Sequence, residues 1–187
     1  DEGINAIFIC PVNWLMITDS LEALKKAGIK IINVDTQVKE MSYVDAYIGS
    51  NNQSAGYTCG QDLIAKRPNG GKILILECPT QNSINDRISG FETAISEAKV
   101  GFEIVDREDT NGEFQKALSA TQKALETYPD ITVIMCGNDQ IAVGATTAVN
   151  LSGLKDILIY GVDGSPDIKK ELVKPNTPIA GTAAQSP

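Results

Sequence analysis

The chain has 187 residues, 42% hydrophobic and 21% charged, enough for one or two globular domains and unlike disordered, collagen-like or disulfide-dense sequences. Sixteen basic against 24 acidic residues give a net charge of -8, the wrong sign for neutralising phosphate backbones, so nucleic acid is not an expected partner. There is no histidine, which removes Ser-His-Asp and Cys-His nucleophile pairs, histidine zinc sites and imidazole acid-base steps.

Short apolar runs rich in Ile and Val alternate with longer amphipathic stretches. From the N-terminus, residues 6–10 read as a strand, and residues 15–27 as a helix closing at Gly28, a natural residue after a helix end. Strands follow at 29–34 and 46–49, then a helix at 52–67 that stops at a Pro-Asn-Gly-Gly turn. The pattern continues as strand 72–77, helix 83–98, strand 102–105, helix 113–128, strand 131–136, helix 139–151, strand 157–162, helix 166–173 and strand 179–182. The strands read apolar on both faces, as parallel strands covered by helices on both sides do. Strand and helix in alternation imply right-handed crossovers and a doubly wound α/β fold. No apolar run approaches the roughly 20 residues of a membrane-spanning helix.

A weak internal repeat runs through this pattern. Residues 7–35 and residues 133–163 each have an apolar strand ending in Cys, an Asn within three residues, a helix, a Gly and a second strand ending in Val-Asp. This suggests two similar lobes, with Asp35 and Asp163 at equivalent positions. The four cysteines, Cys10, Cys59, Cys78 and Cys136, contain no CxxC pair, so no metal site is expected and all four read as small buried thiols.

In open parallel sheets, ligands bind beyond the carboxyl ends of the strands. That rule selects Cys10 with Asn13, Asp35 with Thr36, Ser50 with Asn51 and Asn52, Cys78 with Thr80, Asn138 with Asp139, and Asp163 with Ser165. The turn and helix after Glu77 add Asn82, Asn85 and Arg87. Carboxylates, amides, hydroxyls and one guanidinium suit a small, neutral, hydroxyl-rich ligand. Neither the dinucleotide nor the P-loop glycine fingerprint is present, and no cofactor is expected. Asp35 and Asp163 as a glycosidase-type pair would need a separation that sequence does not supply. Trp14 and Phe91 read as packing residues, and Phe114 as core or cleft.

Several stretches together resemble the type I periplasmic binding proteins, the ribose-binding-protein-like receptors of ABC sugar importers. They are Ile9-Cys10-Pro11, Lys26-Ala27-Gly28-Ile29 with Val34-Asp35, Ile48-Gly49-Ser50-Asn51-Asn52, Asn85-Asp86-Arg87 with Gly90-Phe91, and Tyr128-Pro129-Asp130. Further on come Cys136-Gly137-Asn138-Asp139, Gly144-Ala145, the run from Tyr160 through Gly161-Val162-Asp163-Gly164-Ser165-Pro166 to Asp167, and Ala184-Gln185. The resemblance covers the whole chain. It implies two hinged lobes that close on a monosaccharide-like ligand, with no catalysis and an ABC permease as partner. It also implies a periplasmic location or a lipid anchor outside the cytoplasmic membrane.

Carried over by position, the resemblance makes Asp35 and Asp163 the hydroxyl-accepting carboxylates of opposite lobes and Arg87 and Asn138 polar clamps of the second. Ser50 falls at one crossing and Gln185 at a later one, while Cys10 and Thr36 stand where the family often has Asn and Arg. Gly112 stands where an aromatic usually stacks on the sugar, which leaves furanose-like and other polyol ligands open. Against family length, residues 1–50 form a partial N-terminal lobe, residues 51–185 a near-complete C-terminal lobe, and residues 186–187 the start of a return crossing. Weak or no sugar binding by the chain alone and a homodimer through the incomplete lobe are the corresponding expectations. The alternative function is the effector domain of a LacI-type transcription regulator or of a membrane sensor.

Overall fold

The computed structural model describes residues 3–185, and the chain divides into two compact units. The first runs through Asn51 and takes in Pro79–Ser83; the second consists of Asn52–Cys78 and the chain from Ile84 onward. Residues 186–187, expected as the start of a return crossing, lie outside the described residues.

The first unit holds β1 (Ala6–Ile9), α1 (Thr18–Lys26), β2 (Lys30–Val34) and β3 (Ala46–Ile48), the strands parallel in the order β1-β2-β3. Helix α1 starts later than its apolar spacing suggests. The Asn13 side-chain oxygen accepts from the amides of Leu15 and Met16 at 3.0 and 3.2 Å, a local turn that competes with helix. Ile7 pairs with Ile31 and Ile9 with Asn33, so these four share the sheet face on which Leu21 of α1 packs. The opposite face carries Phe8, 70% exposed, and Ile48, 62% exposed. The expectation of two covered faces therefore fails in this unit. Among its described residues, helix cover is provided on one side only, and a parallel strand is buried on both faces only where helices lie on both.

The second unit contains α2 (Asn52–Lys66), β4 (Gly71–Glu77), α3 (Asn82–Glu97, from Ile84 on), β5 (Phe102–Asp109), α4 (Phe114–Thr127), β6 (Ile131–Cys136), α5 (Asp139–Ser152), β7 (Leu158–Asp163), α6 (Pro166–Leu172) and β8 (Ile179–Ala184). Its five strands are all parallel, in the order β5-β4-β6-β7-β8. In β4, Ile73, Leu74, Ile75 and Leu76 are each fully buried, which requires cover on both faces. On β7, Tyr160 reaches Asp62 of α2, while Gly161 lies against Asp139 and Ala142 of α5. These neighbouring residues point to opposite helix layers, as strand alternation dictates. Phe91 is fully buried. Strand β5 runs four residues beyond its apolar stretch into Asp106, Arg107, Glu108 and Asp109, because an edge strand tolerates, and is protected by, charge.

All four cysteines are thiols outside any disulfide, but their burial differs: Cys59, Cys78 and Cys136 are buried and Cys10 is exposed. The expectation of four buried thiols is corrected at Cys10, which follows the half-covered strand β1.

Candidate functional site

In the second unit the carboxyl ends of β6, β7 and β8 bring Gly137-Asn138, Asp163 and Gln185 to one edge of the sheet. Two glycines bring α3 to this edge beside α2. A Cβ on Gly56 would overlap the Arg87 carbonyl, and one on Gly90 would overlap that of Gln53, so the two helices approach at backbone distance. That approach places Arg87 next to Asn52.

Arg87 is 3% exposed, and each arm of its guanidinium has a partner. Nε donates to Asn52 Oδ1 at 2.8 Å, Nη1 donates to the Gly137 carbonyl at 2.9 Å, and Nη2 pairs with Asp163 Oδ1 at 3.0 Å. A buried cation needs this degree of compensation. Asn52 Oδ1 also accepts from Gln185 Nε2 at 3.3 Å. Arg87 and Gln185, selected separately from sequence, thus converge on Asn52, and Asp163 joins them through Arg87. Asn138 adjoins them through Gly137. Its side-chain oxygen caps α5 by accepting from Ile141 N at 2.8 Å, which leaves its amide nitrogen as the available donor. The Asp163 side chain keeps 38% exposure, so a partly solvated carboxylate stands on a rigid, charge-matched support. Burial pushes the Cys136 thiol well above its ordinary range, and desolvation raises the Asp86 carboxyl. A thiol held protonated in this way is a poor nucleophile.

In the first unit Asp35 follows β2 at φ 61, a left-handed conformation that short polar side chains tolerate best. Its amide donates to the Ile48 carbonyl at 2.9 Å and its carbonyl accepts from Tyr47 Oη at 2.7 Å. Cys10 Sγ lies 3.9 Å from Asp35 Oδ2. Thr36 is buried, its hydroxyl 2.7 Å from that of Ser83, and Ser50 lies half-buried just after β3. Trp14 packs within this unit, donating from Nε1 to the Pro79 carbonyl at 3.2 Å.

Sequence reasoning gave no specific role to three organising residues. Asn52 was one of several strand-end candidates, and its role as the hub depends on the helix approach at Gly56 and Gly90. Asn33, fully buried in β2, donates to the carbonyls of Ile9 and Thr36 and accepts from Val38 N, fixing the loop that carries Asp35. A polar residue inside an apolar strand was the available signal. Asp139, 2% exposed, accepts from Ser165 N at 2.6 Å and from the Thr182 hydroxyl at 2.7 Å. Among the described residues no group of three or more Cys, Asp or Glu side chains is placed to hold a metal ion.

Residues 1–187 match the periplasmic binding protein domain family, and the chain belongs to that family. It is 28% identical over 187 residues to the ribose import binding protein RbsB of Bacillus subtilis, covering 100% of this chain and 59% of that protein. Among solved structures, the periplasmic binding protein component of the arabinose ABC transporter from Shewanella sp. ANA-3, bound to α- and β-L-arabinofuranose, aligns with a TM-score of 0.86. The identity is 28%, over 94% of this chain and 61% of that one. The fructose binding periplasmic domain of the hybrid two component system BT1754 aligns at 0.83 and 27% identity, over 89% of this chain and 55% of that one. The chain therefore spans about three fifths of the length of the curated relative it matches.

Proposed function

We propose that the chain is the sugar-recognising part of a solute receptor serving an ABC importer, and that it performs no chemistry on its ligand. The observation that carries this reading is the Arg87–Asp163 pair at the carboxyl ends of the second unit's strands. Its two charges cancel locally, so the site suits a neutral polyhydroxy ligand. Asp163 is then the acceptor for sugar hydroxyls, Arg87 and Asn138 the donors, and Gln185 a support through Asn52. Asp35 is the first unit's acceptor, with Cys10 beside it. The Thr36 hydroxyl, which also meets that of Ser83, and Ser50 in the crossing segment complete the ligand set. Names of relatives that bind ribose or arabinofuranose favour a pentose-sized or furanose ligand. The same reading puts the protein outside the cytoplasmic membrane, periplasmic or lipid-anchored, with a permease as partner. Residues 1–50 then belong to a partial N-terminal lobe and residues 51–185 to the C-terminal one. The exposed Phe8 and Ile48 make association of two copies through the first unit the corresponding self-partner.

Titration with D-ribose, L-arabinose and D-fructose, followed by amide NMR because binding by this chain is expected to be weak, tests the reading. Saturable shifts at Asn138 and Gly164 whose midpoint moves to higher sugar concentration in Asp163→Asn support it; no shift with any of a broad panel of neutral sugars contradicts it. A sensor domain is the second reading, favoured by the likeness to the two-component fructose-binding domain. Sugar uptake by permease-containing vesicles on addition of the protein separates the two.

A further inference from the structure

Asp163 ends β7 at φ 134, a backbone conformation that non-glycine residues rarely adopt and that persists only where the surroundings impose it. What imposes it lies on the two flanking elements. The Ser165 amide donates to Asp139 Oδ2 at 2.6 Å. The Gly164 amide donates to Thr182 Oγ1 at 3.2 Å, and that hydroxyl donates onward to Asp139 Oδ1 at 2.7 Å. Both amides that follow Asp163 therefore end on one buried carboxylate, directly or through one hydroxyl. Two glycines make room: a Cβ on Gly161 would crowd Asp139 Oδ1, and one on Gly164, at φ 72, would crowd Ala184. Asp139 itself is fixed in the first turn of α5, next to the Asn138 cap.

We propose that Asp139 and Thr182 form a latch that positions Asp163. The latch holds the 163–165 loop so that the Asp163 carboxylate meets Arg87 and faces its ligand; it rests on the reading of Asp163 as a ligand acceptor. Both are positioning residues that act through Asp163. The strain at Asp163 is thereby offset by bonds made outside the binding surface, and the acceptor is set before a ligand arrives.

Thr182→Val removes the hydroxyl at nearly constant volume, and Thr182→Ser keeps it. Amide hydrogen exchange of the 187-residue chain reads the latch without any ligand. Protection of Gly164 and Ser165 is expected to fall about tenfold or more in Thr182→Val, with β6 amides unchanged, and to return in Thr182→Ser. Unchanged protection at both amides overturns the latch. Sugar titration then reads its purpose: Thr182→Val is expected to weaken binding about tenfold, and to cause no further loss in an Asp163→Asn background, because residues acting as one unit are not additive. Equal losses in both backgrounds overturn the positioning role. If the parent chain binds no neutral sugar, the functional reading fails while the exchange result still decides whether the latch exists. If Thr182→Val does not fold, Asp139→Asn is taken through the same measurements, with the same loss of protection at Ser165 expected and its absence contradictory.

Discussion

The β-α-β segment 7–35 and its counterpart 133–163 follow the same sequence pattern but have very different surroundings. In the second unit, Cys136 is fully buried and the strands around it are covered on both faces. In the first, Cys10 is exposed and only Leu21, Ile31 and Val38 form a buried apolar cluster among the described residues. Seven of the nine exposed large hydrophobic side chains among the described residues, from Ile4 to Ile48, fall in the first unit. The strand-end aspartates differ in the same direction. Asp163 pairs with a buried guanidinium, whereas Asp35 is held mainly by its own backbone bonds to Tyr47 and Ile48. A shared local pattern specifies strand, helix and turn; burial and charge pairing come from what packs on top.

One residue type placed in each unit probes that contrast most strongly. Phe91→Ala empties a fully buried position and is expected to cost about 3–5 kcal/mol in urea unfolding followed by circular dichroism; a loss below about 1 kcal/mol would mean that the second unit is not the densely packed one. Thiol chemistry gives the next largest difference. Burial pushes the Cys59 thiol up to about 11 and that of Cys136 well above its ordinary range. Native protein at about pH 8 is therefore expected to react with Ellman's reagent at Cys10 alone, and denatured protein at all four. Fast reaction of a second native thiol would break the contrast.

Acid acts on the first unit through Asp45. Its carboxylate accepts from the Ile31 amide and meets Lys25 and Lys30, which holds it well below the ordinary value of 3.8. A depressed folded value stabilises above the unfolded one, so this contribution is complete above about pH 4 and is lost as the pH falls toward the depressed value. Asp45→Asn should flatten that part of the acid unfolding curve of the first unit; an unchanged curve would remove Asp45 as its staple. The smallest effect belongs to Phe8→Ala, at 70% exposure, which is expected to change stability by no more than about 0.5 kcal/mol. A loss comparable to that of Phe91→Ala would show that Phe8 is covered in solution.

Much of the fold was legible because apolar periodicity reports it directly. Strand 131–136 matches its expected span, and helix 52–67 ends within a residue of its own. The strand-end rule and the turn after Glu77 also pointed to Asp163 and Arg87, which pair, and the family resemblance pointed to Gln185, which meets Arg87 at Asn52. What stayed hidden depends on non-local geometry. The role of Asn52 follows from two glycines that let α2 and α3 touch, and Thr182 matters only because β8 lies beside the loop after Asp163. The exposure of Cys10 and Phe8 could not be read from their strand either, since one face of that sheet has no helix over it among the described residues.

The central claim is that the second unit carries a binding surface already assembled without ligand. The Arg87 Nε proton reports it most directly, because that proton is buried and bonded to Asn52. A slowly exchanging Arg87 Nε resonance in sugar-free protein, shifting in parallel with Asn138 on titration with L-arabinose or D-ribose, is the expected result. A fast-exchanging resonance that sharpens only when sugar is added would contradict it.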